Sequence, residues 1–165
     1  MQPIDPQDQI TLKAAIDGFK EKYDLSSPAE VLAALQIESI PATIFNDKLS
    51  PLETVVKFLK ENNNKKLAEI ARILKKDVSS VWLAYKHSQQ KHPKKITFAH
   101  TPYTIPISVL HSSSLSLLET ITEHLRDKYG LSYHDLGKLL SRNERTVWTT
   151  YRRAKQKHTL GDSRG

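Results

Sequence analysis

Cysteine is missing from this sequence altogether, so neither a disulfide framework nor a thiolate metal site can be built from it. The seven histidines have no helical four-residue pairing to make up for that, which argues against a metal centre. No apolar run approaches the roughly 20 residues that a membrane span needs. The start, Met1-Gln2-Pro3-Ile4-Asp5, lacks the basic and then apolar stretches of a secretory signal. There is no glycine-rich phosphate loop, nucleophile elbow or zinc-protease motif. Glu123, Asp127 and Asp135 read as helix-surface and capping residues rather than as a catalytic set. These absences point away from an enzyme, a bound cofactor and a membrane, and toward a cytoplasmic protein.

What is present is basic charge, unevenly spread. The net charge of +7 divides into −4 over residues 1–48, +7 over 49–104 and +4 over 105–165. A basic surface is the footprint of phosphate binding, because each neutralised phosphate releases counterions. An anionic membrane surface would attract the same charge, so the charge needs a structural context.

An internal repeat supplies that context. An offset of 66 residues lays 49–92 on 115–158 without a gap. Leu49, Ser50, Leu52, Glu53, Thr54, Leu59, Leu74, Val81, Trp82, Tyr85, Gln90, Lys91 and His92 recur as identical residues in the second copy. A repeat of this length is one supersecondary module used twice. Each copy opens on a capping box, Ser50-Pro51-Leu52-Glu53 and Ser116-Leu117-Leu118-Glu119. The apolar faces of the first helices are Leu52, Val55, Val56 and Leu59 in one copy and Leu118, Ile121 and Leu125 in the other. A second helix follows, carrying Leu67, Ile70, Ile73 and Leu74, or Leu136, Leu139 and Leu140. Ser132 caps the later copy's second helix, a task that Lys66 cannot perform in the earlier one.

The third helix of the second copy is expected to start from Asn143 as N-cap. Val147, Tyr151, Ala154 and His158 then share a half-buried face. The opposite stripe, Arg145, Thr149, Arg152 and Gln156, is donor-rich and cationic, as base edges and phosphates in a major groove require. Ala71 and Gly137 hold the small position where the second and third helices cross. Lys75 and Ser141 stand where a turn glycine is usual.

The expected fold is therefore all-α, with two tandem three-helix helix-turn-helix modules at 40–92 and 105–158 behind an acidic helical leader at 1–39. The leader reads as a helix over 10–23, with Leu12, Ala15, Ile16 and Phe19 on one face. A second leader helix opens on Ser27-Pro28-Ala29-Glu30. The pair is read as a packing or homodimerisation element. Each module begins at an Ile-Pro segment, Ile40-Pro41 or Ile105-Pro106, expected to pack against its own module. The segment 93–104 reads as an extended basic linker. At about 3.3 Å per residue it is long enough for the roughly 34 Å between successive major-groove faces. Residues 159–165 read as a disordered tail.

The run from Leu131 to Leu140, followed by Thr146-Val147 and Arg153-Ala154, resembles the last domain of bacterial RNA polymerase sigma factors, which reads the minus-35 promoter element. The run 145–151, with the upstream Ile-Pro and Leu-Ser-x-Leu-Glu-Thr elements, is more similar to small prokaryotic sigma-like helix-turn-helix proteins. The likeness covers 105–158 well and 40–92 more loosely, and nothing resembles the promoter-melting or core-polymerase-binding regions of a sigma factor. It implies binding to double-stranded DNA and transcription regulation.

By that resemblance, base-reading residues fall at Glu144, Arg145, Thr146, Trp148 and Thr149, with Arg152 and Arg153 near phosphates and Arg142 in the same cationic set. The matching positions of the first module are Val78, Ser79, Ser80, Trp82 and Leu83, with Lys86 and His87, and Lys94 and Lys95 add charge in the linker. Because Ser79 and Leu83 replace Arg145 and Thr149, the second module is expected to specify sequence and the first to add affinity. Both tryptophans are expected to pack partly against the first helix of their module. The competing expectations are a protein-interaction adaptor that binds RNA polymerase or a sigma-type partner, and an architectural DNA binder. The cationic set Arg142, Arg145, Arg152, Arg153, Lys155 and Lys157 favours phosphate contact.

Overall fold

The structure, a computed structural model, describes residues 5–23, 38–112 and 114–162, without the side chains of Phe19 and Asp162. Among these residues the regular structure is helical apart from one pairing of two three-residue strands. Two compact units are present, Met1–Glu38 and Ser39–Gly165. The first contains α1 (Pro6–Tyr23). It begins four residues before the expected start because Asp5 accepts a hydrogen bond from the Gln7 amide at 2.7 Å and Pro6 occupies the first helical position. Leu12 and Ala15, expected on a packing face, are exposed. The second leader helix and its capping box lie outside the described residues.

In the second unit, the first copy supplies α2 (Pro51–Glu61), α3 (Leu67–Leu74) and α4 (Val78–Lys91). The second copy supplies α5 (Leu117–Tyr129), α6 (Tyr133–Leu140) and α7 (Glu144–Asp162). Both capping boxes form: Ser50 and Ser116 accept from the Glu53 and Glu119 amides, and the two carboxylates accept from the serine amides. Ser132 caps α6, Lys66 makes no side-chain cap on α3, and Asn143 accepts from the Arg145 amide at 2.8 Å.

Each of the two turns contains a left-handed residue, Lys75 and Ser141, both at φ 50 and ψ 48. Without a glycine this conformation costs about 1–2 kcal/mol per residue. The amide hydrogen bonds that close each helix end, including Lys76 to Ala71 and Arg142 to Gly137, offset that cost. A Cβ on Gly137 would meet the Arg142 carbonyl at 2.8 Å, which explains the small residue at the crossing. Helix α7 continues to Asp162 through most of the expected tail. Lys155, Lys157 and His158 tie the turns before this extension to Glu123, Asp127 and Glu119 of α5.

The two copies are not independent. Strand β1 (Ser39–Pro41) pairs antiparallel with β2 (Thr104–Pro106), with Ile40 opposite Ile105. Both isoleucines are fully buried. The prolines lack an amide hydrogen, which keeps the ladder short. Beyond the strands the chain crosses over. The 3-10 turn Ala42–Ile44 of the first copy packs on α6 of the second, and the 3-10 turn Ile107–His111 packs on α3 of the first as well as on α5. The expectation that each Ile-Pro segment packs on its own module holds for the second segment, which rests on α5, but not for the first, whose 3-10 turn lies on α6 of the other copy. Pairing the two segments buries both isoleucines and satisfies backbone groups that one segment alone would leave open.

The linker is also held in place. Ile96 is buried, the Asn62 amide donates to the Ile96 carbonyl at 3.2 Å, Thr43 donates to the Ala99 carbonyl at 2.7 Å, and Phe98 stands edge-on to Phe58 at 5.5 Å.

Between the first and third helices of each copy sits a matched ion pair. Lys91 meets Glu53 at 2.7 Å, and Lys157 meets Glu119 at 2.7 Å. Burial pushes both carboxyls up, but the lysines and the capping serines outweigh it and hold them below the ordinary carboxylate value.

Where the first copy has Phe58 the second has His124, whose Nε2 lies 3.3 Å from the Thr104 carbonyl oxygen. Burial lowers the imidazole below its ordinary 6.5, while the Thr104 carbonyl works against that and Lys128 adds to it. The folded state therefore favours the neutral ring, and the unfolded chain binds more protons. Stability from this group is present above pH 6.5 and is lost as pH falls from there toward the lowered folded value. Replacing His124 with Phe is expected to flatten that part of the stability profile, read as urea midpoints on either side of pH 6.5. An unchanged slope in the variant would assign the dependence to another group.

Candidate nucleic-acid interface

Helices α4 and α7 each bury one face and present the other. On α4, Val81, Ala84 and Ser88 are buried, and on α7, Val147, Thr150 and Ala154 are. Tyr85 and Tyr151 lie at the margin of the buried face, where their hydroxyls donate to Glu61 at 3.2 Å and Asp127 at 2.7 Å. His158, expected on the buried face of α7, is exposed and meets Glu123 at 3.0 Å.

The outward face of α7 carries Glu144, Arg145, Thr146, Trp148, Arg152 and Arg153, all exposed, with Thr149 intermediate. On α4 the matching face carries Ser79, Ser80, Trp82, Leu83 and Lys86, also exposed. The tryptophans are only half-exposed on these faces. Trp82 is 50% and Trp148 43% exposed, and each lies under a cation one turn further on. The Lys86 ammonium is 5.1 Å from the Trp82 ring centroid, and the Arg152 guanidinium 5.3 Å from that of Trp148. This cation–π pair is a feature that the two outward faces share, and it sets a cation beside a wide, half-exposed aromatic surface on each.

Among the described residues, the guanidiniums of Arg145 and Arg153 have no hydrogen-bond or ion-pair partner within the chain. Together with Asn143, Thr146, Thr149 and Thr150 they line an open concavity along the first turns of α7. The Thr149 hydroxyl donates to the Arg145 carbonyl at 2.8 Å, so its remaining hydrogen-bonding capacity is as an acceptor. Lys94 and Lys95 are exposed beside the first copy.

Three members of the expected cationic set are used inside the protein instead. The Arg142 guanidinium donates to the carbonyls of Asn46 at 3.0 Å, Leu49 at 2.9 Å and Ser141 at 2.8 Å, tying the second copy's turn to the first copy's lead-in. Lys155 pairs with Glu123 and Asp127, and the Asp127 hydrogen bond first of all raises its ammonium above the ordinary lysine value. Lys157 is taken by Glu119. Glu144 and Arg145, close neighbours of Arg142, face outward, and it is the crossed-over lead-in that draws Arg142 away from them.

Asp47 enters the surface around the second turn, beside His134, Lys138, Arg142 and Glu144. No local pattern signals this carboxylate, because it arrives from the other copy.

Among the described residues no group of three or more metal-ligating side chains is placed to hold an ion. No described helix is long and apolar enough to cross a membrane. No family model, curated protein or solved structure matches the chain.

Proposed function

We propose that this protein binds double-stranded DNA in a sequence-specific way and acts in transcription regulation, as two helix-turn-helix modules that offer α4 and α7 to the major groove. The observation that carries this reading is the outward face of α7. There Arg145 and Arg153 project without internal partners beside Thr149 and the Trp148–Arg152 pair, on a helix whose opposite face is buried. Arginine forks onto guanine edges and phosphates, and a threonine hydroxyl hydrogen-bonds either base edge or backbone.

The same face of α4 keeps the Trp82–Lys86 pair but has Ser79 and Leu83 where α7 has Arg145 and Thr149. The second module therefore specifies sequence and the first adds affinity. Selection of bound sequences from random duplexes, at several salt concentrations, tests this. Arg145→Ala is expected to relax preference at one or two positions, at about 1–3 kcal/mol, while Lys86→Ala weakens binding evenly across sequences and lowers the salt slope by about 1. Equal relaxation in both variants would overturn the division of labour. Absence of salt-dependent binding to duplex DNA would overturn the reading as a whole.

One observation favours a second reading. Val78, Trp82 and Leu83 form an exposed apolar group on α4, at 50%, 50% and 45% exposure. Such a group suits a protein partner such as an RNA polymerase subunit or a sigma-type protein, as well as thymine methyls. In that case Lys86→Ala leaves DNA affinity unchanged.

A further inference from the structure

We infer that a single chain reads two half-sites in inverted orientation, an imperfect palindrome with one strong and one weak half, rather than a direct repeat. The inference rests on the DNA-binding reading above and adds the geometry of the target.

Two linked copies of a module can be related in two ways. In a head-to-tail arrangement, the second copy's lead-in would sit on the first copy while the first copy's lead-in found no counterpart. Here the exchange is reciprocal: Ala42–Ile44 lies on α6, and Ile107–His111 lies on α3. The strand register has the same property. Ser39 faces Pro106 and Pro41 faces Thr104, so exchanging the two strands reproduces the same pairs about Ile40 and Ile105. The equivalent helices α2 and α5 also touch each other. An operation that carries copy one onto copy two and also copy two onto copy one is a two-fold rotation, the closed relation of a homodimer. This chain builds it within one polypeptide.

The relation is locked at several points. Ala42 donates its amide to the Tyr103 carbonyl at 2.9 Å, Arg142 holds the first copy's lead-in through Asn46 and Leu49, and Ser141 Oγ donates to the Phe45 carbonyl at 3.3 Å. The linker that would have to pay out for a direct repeat is fastened along the first copy by Ile96 and Ala99. Under a two-fold, α4 and α7 are related as the reading helices of a dimer are, and the dyads of duplex DNA then require inverted half-sites.

The halves differ because the readers differ. Glu144, Arg145, Thr149 and Arg153 on α7 stand against Val78, Ser79, Leu83 and His87 on α4. One half-site is therefore rich in sequence information and the other poor.

The experiment uses the full chain and synthetic duplexes. The strong half-site selected in vitro is joined to the weak half that the same selection recovers beside it, in inverted orientation, in direct orientation and with the weak half scrambled, across a series of spacings. The inverted pair is expected to bind about tenfold or more tighter than the other two at one preferred spacing. Protein concentration at half-saturation together with sedimentation gives one chain per duplex. Direct pairs that bind as well as inverted ones, or a single half-site that binds as tightly as a pair, would overturn the inference and leave DNA reading intact. Two chains on each inverted pair would likewise overturn it. Failure to select any motif would instead remove the reading beneath it.

Discussion

Replacing Ile105 with Ala is expected to destabilise both copies at once. Ile105 is fully buried opposite Ile40, and removing a buried isoleucine to alanine costs about 2–5 kcal/mol through lost transfer energy and the cavity left behind. That is a large part of the roughly 5–15 kcal/mol that holds a typical domain together. The single tryptophan in each copy makes the spread of the effect measurable. Trp82→Phe leaves a reporter only in the second copy, and Trp148→Phe leaves one only in the first. Urea unfolding followed in each background should give one shared midpoint, and Ile105→Ala should lower it equally for both reporters. Two separate midpoints, with only one moved by the substitution, would mean that the copies fold as beads on a linker and that the strand pairing does not couple them.

The second large effect concerns a charge inside the first copy. The Lys57 side chain is fully buried, with its ammonium 2.8 Å from Glu61, whose carboxylate also accepts from Tyr85 and Gln89. Glu61→Ala removes the counter-ion and leaves a buried ammonium, a loss of about 3–5 kcal/mol. Lys57→Met keeps the volume and removes the charge. It is expected to be near neutral or stabilising, because the cost of desolvating the ammonium goes with it and Glu61 keeps its two neutral donors. Thermal unfolding of the two variants checks the ordering, and a Lys57→Met variant less stable than Glu61→Ala would refute it.

The second copy holds the same place differently. Glu123 stands where Lys57 is, and the cation has moved to Lys155 on α7, where it is 44% exposed and pairs with Glu123 and Asp127. Removing Lys155 is therefore a surface matter, worth about 0–1 kcal/mol.

Most of the local structure was legible in the sequence because its causes are local. The capping boxes at Ser50 and Ser116, the cap at Ser132, the N-cap at Asn143 and the apolar periodicity of α2 to α7 each depend on residues within one or two turns of one another. The outward faces of α4 and α7 followed from the same period, since a helix that buries Val147 and Ala154 must turn Arg145 and Arg152 away. The ion pairs that hold the later turns of α7 are not local in this way, since Glu119 and Glu123 lie 38 and 35 residues before Lys157 and His158.

What sequence alone determined, then, is the content of one module, its use twice, and the residues on its outward face. Only the tertiary structure decided how the copies join. The Ile-Pro segments have no local preference between their own module and the other, and the choice falls to the pairing of Ile40 with Ile105, which buries both at once. Tertiary packing also decided the fate of individual charges, Arg142 through the crossed-over lead-in and Lys155 and Lys157 through α5 of their own copy. In a sequence the three look like Arg145 and Arg152. Whether a cation meets water or an internal carbonyl or carboxylate depends on what the rest of the chain brings to it, and a helical period carries no information about that.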